Sequence, residues 1–555
     1  MRFTLQIATA VVVLAALCVV PSLNAANWAN TSTRGLVLNQ VSDLGPAPGS
    51  TSLNIIVVLQ VHNTAALQQY VLNISNPGSP QYGQSLTPAQ FAASYAPATA
   101  QVQSVTNYLQ GQGFHGIAVE PNSLLVDATG TVSQINAAFN TNIESFSQNG
   151  QQVFANTLTA QVPSSMSGLV VAVLGLNNAG KMQLSLHNQQ NSIPAIGLPN
   201  YPASYTPQGY WTAYNATGVT TGSKTNVAIF AEGNLSQVMI DLRDAEKAWG
   251  LPQVPYQVVQ VGIASTDTSG ADEFDMDTQY STGMAGNVKK LYVYDTTSLS
   301  DSDVALMFSR FATDDMAKAG SASFGICELF PYLDGSMLAD DEIFLEAAAQ
   351  GQTVFASTGD TGGFCPVEAG ANGVPAGAPF VNYPASSPYV VGVGGTTLVT
   401  NTNDTYDEEV AWYAGGGGIS QFEGAPYWQT AAQVPSSQLN SKGLPDVAMV
   451  ADPYSGVTIY MDGAAACCYG GTSLSSPLAL GVWARMLTEN AKLGYASPRL
   501  YSLYDGNTTP GSYPEGGFHD IILGDNSPYP ALPGWDFATG LGSFYVSELG
   551  TDLKR

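Results

Sequence analysis

At 555 residues, with 42 acidic side chains against 16 lysines and arginines and a formal charge of −26, the chain is long enough for more than one folded unit. It lacks the cationic surface that a nucleic-acid binder needs to displace counterions. Only 10% of its residues are charged and 45% are hydrophobic, which excludes a disordered acidic tail.

Met1 and Arg2 precede an uncharged apolar run over 7–20, followed by the small residues Ser22, Ala25 and Ala26. This is the pattern of a signal peptide over 1–25, too short to span a bilayer comfortably. No later stretch is long and apolar enough to span, so the mature chain is expected to be secreted, with no membrane partner. Removal of the leader takes Cys18 with it and leaves Cys327, Cys365, Cys467 and Cys468. Four cysteines allow three connectivities, and the chain neighbours Cys467 and Cys468 are not expected to pair with each other.

Residues 26–180 alternate short apolar strands (53–60, 124–126, 169–176) with helical stretches (64–72, 87–95, 98–111), the pattern of a small α/β domain. Between Arg34 and Lys181 there is no basic residue, and the acids are Asp43, Glu120, Asp127 and Glu144; from 182 onward there are 38 acids and 13 bases. The step in composition marks a boundary. Few cations also mean few ion pairs to lose when carboxylates protonate, which suits acidic surroundings. Residues 181–205 read as a polar connector open to proteolysis. From 206 to 555, strands at 226–230, 290–294, 321–325, 353–357 and 389–393 alternate with helices at 236–249, 272–284, 301–319 and 340–349. That order predicts a parallel sheet flanked by helices, with ligands gathered at the carboxyl ends of the strands.

Three segments carry chemistry. Gly470-Gly471-Thr472-Ser473 opens an apolar helix that has Pro477 four residues after the serine. A serine at a helix N-terminus is a common N-cap, but the same backbone N–H groups can hold an oxyanion. The only histidines are His62, His115, His187 and His519, and three of them lie in the N-terminal part or the connector. A Ser-His-Asp triad is therefore poorly supported, and the base is sought among carboxylates. In Asp272-Glu273-Phe274-Asp275-Met276-Asp277, Glu273 and Asp277 share a helix face, so each raises the proton affinity of the other. An acidic first turn favoured by the helix dipole is the plainer explanation of this run. Asp360, in Gly359-Asp360-Thr361-Gly362, ends a strand; it is either a turn residue or a protonated carboxyl that donates to a developing oxyanion.

These motifs, together with 383–388, 391–397, 444–447 and the N-terminal segments 77–83 and 86–91, resemble the sedolisins. These are serine-carboxyl peptidases, kumamolisin-like enzymes among them, made with an N-terminal activation propeptide. The resemblance implies a subtilisin-like catalytic domain. Ser473 would be the nucleophile, Glu273 the general base and acid, Asp277 the carboxyl orienting Glu273, and Asp360 the oxyanion-side acid. It also implies one structural calcium ion held by Asp520 and Asp536 with carbonyls of Ile521, Leu532 and Gly534. The kumamolisin-like network of a further Glu and a Trp is not matched, because Glu232 is shifted and Phe324 stands at the Trp position.

The expected protein is a secreted, acid-active endopeptidase acting on proteins or peptides, made as a self-processing monomeric precursor. Its alternatives are a tripeptidyl peptidase of the same family and a non-catalytic secreted binding protein. A propeptide poor in cations is expected to dock by apolar burial, with enzyme carboxylates supplying a pH trigger.

Overall fold

The computed structural model describes residues 27–36, 41–148, 150–188, 204–365, 379–504 and 516–554. The leader over 1–25 and residues 189–203 of the expected connector lie outside the described residues.

The N-terminal unit contains β1 (Ser52–Leu59), α1 (Thr64–Ser75), α2 (Pro88–Ser94), α3 (Thr99–Gly111), β2 (His115–Val119), β3 (Leu125–Thr131) and β4 (Val170–Leu174). Its sheet runs β2-β3-β1-β4, antiparallel throughout. The unbroken apolar run of β1 has a physical reason, since both of its faces are buried. Ile55, Val57 and Leu59 pack into the unit's own core with Val126 and Val173. Ile56 and Val58 join Leu67, Val71 and Phe91 in a second core shared with Phe344, Leu345 and Ala348 of the following unit. Docking by apolar surface is thus written into the alternation of one strand. Polar contacts across the same junction come from one cation, Arg34, whose Nη2 donates to the Tyr332 hydroxyl at 2.6 Å, and otherwise mainly from neutral groups. Gln60 Nε2 and Val61 N–H donate to Glu342 at 2.5 and 3.1 Å, and Asn122 Nδ2 donates to Glu346 at 2.8 Å.

The first residues of the expected connector are not a loose linker. β5 (Gln183–Leu184) and β6 (His187–Asn188) satisfy their backbone groups by pairing with the following unit. That unit then builds β7 (Asn226–Glu232), α4 (Val238–Trp249), β8 (Tyr256–Gln260), α5 (Ala271–Ala285), β9 (Lys290–Thr296), α6 (Asp301–Asp314), β10 (Ala319–Ala322), β11 (Phe324–Cys327), α7 (Ser336–Ala349), β12 (Thr353–Ser357), β13 (Val390–Thr400), β14 (Tyr406–Ala411), β15 (Val447–Val450), β16 (Ala464–Gly470) and α8 (Thr472–Glu489). The main sheet has the order β8-β9-β7-β10-β12-β13-β14, with β15 also on β13; every pairing is parallel except that of β14.

Two elements differ from the sequence reading. The strand expected over 321–325 is two strands: β10 ends at Ala322, Ser323 leaves the sheet, and β11 turns to another partner. The helix expected over 301–319 stops at Asp314, capped by Asp315 at φ 46°, so that β10 can begin at Ala319.

Both described cysteine pairs are disulfides, Cys327–Cys365 and Cys467–Cys468. The second pairing overturns the expectation: a cis peptide bond joins these neighbours and brings their Cα atoms to 3.1 Å.

Two of the scarce cations are interior. Lys442 Nζ donates to the carbonyls of Ala385, Ser387 and Val390 at 2.5–2.9 Å. Arg485 donates to those of Met284, Ala216 and Val219 at 2.7–3.2 Å.

Candidate active site

The site forms where β16 passes into α8. Gly471 has φ +108°, a conformation that costs a side-chain-bearing residue dearly, and a Cβ there would lie 2.1 Å from the Ser185 carbonyl oxygen and 2.6 Å from Asp360 Oδ2. The turn delivers Thr472 and Ser473 as the first residues of α8, with both side chains buried. Thr472 ties in Asp360, donating to Oδ1 from its backbone N–H (2.9 Å) and its hydroxyl (2.6 Å). Pro477, inside the helix, has no N–H to give the Ser473 carbonyl, which is instead approached by the Ser323 hydroxyl at 3.2 Å.

Glu273 and Asp277 project from α5, one turn apart and fully buried. Gly481 lets α8 approach closely: a Cβ there would meet Met284 Cβ and the Ser281 carbonyl, both at 2.7 Å. The helices thereby bring Glu273 against Ser473. Burial raises the Glu273 carboxyl well above the usual range, the charge of Asp277 adds to this, and the Ser473 hydroxyl opposes it; Asp360 and Asp272 contribute further repulsion. Neither Glu273 oxygen completes a hydrogen bond of standard geometry among the described residues, and the Ser473 hydroxyl donates to the Ser323 carbonyl at 3.2 Å. The serine thus stands beside the carboxylate, with the Ser323 carbonyl as a second acceptor within reach. Burial likewise raises Asp277, opposed by a 2.6 Å hydrogen bond from Ser323 Oγ.

The structure brings together Ser473, Glu273, Asp277 and Asp360. Asp275 is not in this group: burial and Asp241 push it up to about 8, and it faces away. Glu232, at the end of β7, interacts with Lys181, Asp267 and Asp303, and Phe324 is a core ring stacked near Phe308. His519 is stacked on Tyr406 at 3.9 Å, and burial lowers its pKa to about 4.

Sequence reasoning missed Ser323, whose carbonyl accepts from the Ser473 hydroxyl and whose own hydroxyl donates to Asp277. The signal available was a small polar residue just past the end of a strand. Ser323→Ala is expected to raise the pKa of the Glu273–Asp277 pair, because the lost hydrogen bond favours the ionised form. The acidic limb of the activity–pH profile should move to higher pH by up to about one unit, measured on kcat/KM.

A segment of the chain already lies in this site. Gln183 and Leu184 pair antiparallel with Gly325 and Phe324, while His187 and Asn188 pair with Gly470 and Tyr469 on the other side of Ser473. Ser185 N–H reaches the Ser323 carbonyl at 3.4 Å, and Met182 N–H donates to Leu299 at 3.1 Å.

Near the C-terminus, Asp520 accepts from the Gly534 N–H through both oxygens at 3.1 Å. Asp536 accepts from Leu532, Ala538 and Thr539 N–H groups at 2.7–2.8 Å. Burial pushes Asp536 up to about 7. Among the described residues neither carboxylate forms a salt bridge. Asp520 and Asp536 are hard oxygen donors of the kind calcium takes.

The comparisons with known proteins agree with this geometry. Residues 39–179 match the family described as Pro-kumamolisin, activation domain. The chain is 35% identical to sedolisin from Pseudomonas sp. (strain 101), covering 95% of this chain and 92% of that protein. It is 33% identical to xanthomonalisin from Xanthomonas sp. (strain T-22), covering 90% of this chain and 65% of that protein. The solved structure of Pseudomonas sedolisin, a serine-carboxyl proteinase complexed with two molecules of pseudo-iodotyrostatin, superposes with a TM-score of 0.58 at 32% identity. The match covers 64% of this chain and 99% of that one. The chain belongs to the sedolisin family of serine-carboxyl peptidases and carries the family's activation domain at its N-terminus.

Proposed function

We propose that this chain is the precursor of a secreted, acid-active endopeptidase in which Ser473, Glu273 and Asp277 form the catalytic triad. The leader over 1–25 is removed on export, 26–180 is the propeptide, 181–205 contains the processing region, and 206–555 is the catalytic domain. The observation that carries this reading is the buried Glu273–Asp277 pair packed against a serine at a helix N-terminus, where neutral hydrolases place an imidazole. Ser473 Oγ attacks the substrate carbonyl as Glu273 takes its proton, and Asp277 holds the charge and orientation of Glu273. Asp360, in its protonated form, and the helix N–H groups stabilise the oxyanion. Glu273 then returns the proton to the leaving amine, and water hydrolyses the acyl-enzyme.

Endopeptidase action is supported by the segment over 181–188, which continues through the cleft on both sides of Ser473 with backbone pairing on each. A tripeptidyl peptidase requires the cleft to close three residues before the scissile bond. The test is casein hydrolysis after acid incubation, with activity expected between about pH 3 and 5. Undiminished activity at neutral pH would overturn the role given to Asp360.

For calcium, Asp520 and Asp536 supply charge, and Ile521, Leu532 and Gly534 supply carbonyls. The ion would tie the loop over 518–540 to its neighbours, a structural part. Chelator is expected to lower the melting temperature of the purified protein by the equivalent of about 2.7 kcal/mol for a site held at a hundredfold excess of calcium over Kd. Asp536→Asn should abolish that response, and a melting curve indifferent to chelator would count against the ion.

A further inference from the structure

The strand in the cleft is laid out so that one peptide bond faces the nucleophile. On its N-terminal side, the pairs Gln183–Gly325 and Leu184–Phe324 fix the backbone against β11. On its C-terminal side, His187–Gly470 and Asn188–Tyr469 fix it against β16. Only Ser185 and Leu186 lie between the two ladders. The Ser323 carbonyl oxygen accepts from both Ser185 N–H (3.4 Å) and Ser473 Oγ (3.2 Å), so the backbone of Ser185 and the nucleophile hang on one atom. The Ser185 carbonyl oxygen rests against Gly471, on the side where Asp360 Oδ2 also lies. Upstream, Met182 is 2% exposed, belongs to the large apolar core and is anchored by its N–H to Leu299. The Leu184 side chain reaches Gly270 at the start of α5, the helix that carries Glu273.

We propose that the precursor first cuts its own Ser185–Leu186 bond, with the buried Met182 side chain setting the register. This rests on the peptidase reading above and adds to it the bond and the side chain that selects it. Ser473 Oγ forms a bond to the Ser185 carbonyl carbon while its proton moves to Glu273. The Ser185–Leu186 C–N bond breaks, and Leu186 leaves as an amine carrying that proton. Water then hydrolyses the Ser185 ester, giving a propeptide that ends at Ser185 and restoring the Ser473 hydroxyl. The same cleft would prefer other substrates with a large apolar residue three positions before the one that supplies the scissile carbonyl.

The test follows purified precursor through acid incubation by intact mass and N-terminal sequencing at early times, alongside Leu186→Pro. The expected first fragments end at Ser185 and begin at Leu186, and Leu186→Pro should suppress them. In parallel, the synthetic peptide Lys-Met-Gln-Leu-Ser-Leu-His-Asn is offered to activated enzyme. Cleavage between Ser and Leu is expected, and replacing its Met by Asp should lower kcat/KM about tenfold or more. An enzyme that digests casein while its precursor splits first elsewhere, or that leaves this peptide whole, overturns the register but not the peptidase. A precursor that cuts nothing overturns both.

Discussion

Ser473→Ala is expected to leave the precursor whole throughout acid incubation and to lower turnover of a protein substrate by about 10⁶-fold. The serine opens α8 at its junction with β16 and stands beside a buried carboxylate pair. Glu273→Gln keeps the size and polarity of the side chain but cannot accept a proton, so a loss of about 10⁴-fold or more is expected. The two losses should not add, because both groups serve one proton transfer. Persistent processing in Ser473→Ala that is independent of precursor concentration would remove Ser473 from the mechanism.

The second large effect concerns the docked N-terminal unit. Glu342 and Glu346 on α7 are buried beneath it, and their partners there are Gln60, the Val61 N–H and Asn122. Burial pushes Glu342 up to about 7 and Glu346 up to about 8. Once undocked and wetted, both return toward ordinary values near 4.5. The docked form therefore binds more protons. Its advantage is fully present below about pH 4.5 and is lost as pH rises through 7 to 8.

On these two groups acid favours the docked form, so the enzyme carboxylates expected to supply a pH trigger should hold the junction in acid and loosen it as pH rises. The intact Ser473→Ala precursor should lose stability between pH 4 and pH 8 by an amount on the order of 5 kcal/mol attributable to these two groups. The pH dependence of melting should flatten in Glu342→Gln/Glu346→Gln. Equal slopes with and without the double substitution would refute the assignment. A cleaved propeptide should also co-elute with the enzyme at pH 4 and separate near pH 8.

The alternating strands and helices of both units were legible because their apolar periodicity is strong: β12 ends at the residues expected, and β7 and β9 begin where expected. The site was legible through motifs that each need an unusual backbone or a buried charge, such as Gly471 before Ser473 and the Glu273–Asp277 spacing. What could not be read was set by partners distant in sequence. Ser323, where the strand breaks, has its carbonyl bonded by the Ser473 hydroxyl and its own hydroxyl bonded to Asp277, 150 and 46 positions away. Residues 181–188 look like linker because their ladder partners, 324–325 and 469–470, are supplied by the other unit. The pairing of Cys467 with Cys468 joins chain neighbours, which cysteine spacing alone argues against.

The interior cations bear on survival in the medium the chemistry requires. Lys442 and Arg485 lean chiefly on peptide carbonyls, and a peptide oxygen does not take up a proton at any pH where a carboxylate still titrates. Souring the solution would weaken surface pairs such as Arg310–Asp314 and Lys318–Asp315, yet it leaves the carbonyl contacts of Lys442 and Arg485 in place. Lys442, whose burial lowers its pKa, is held all the more firmly in its charged form as protons become abundant.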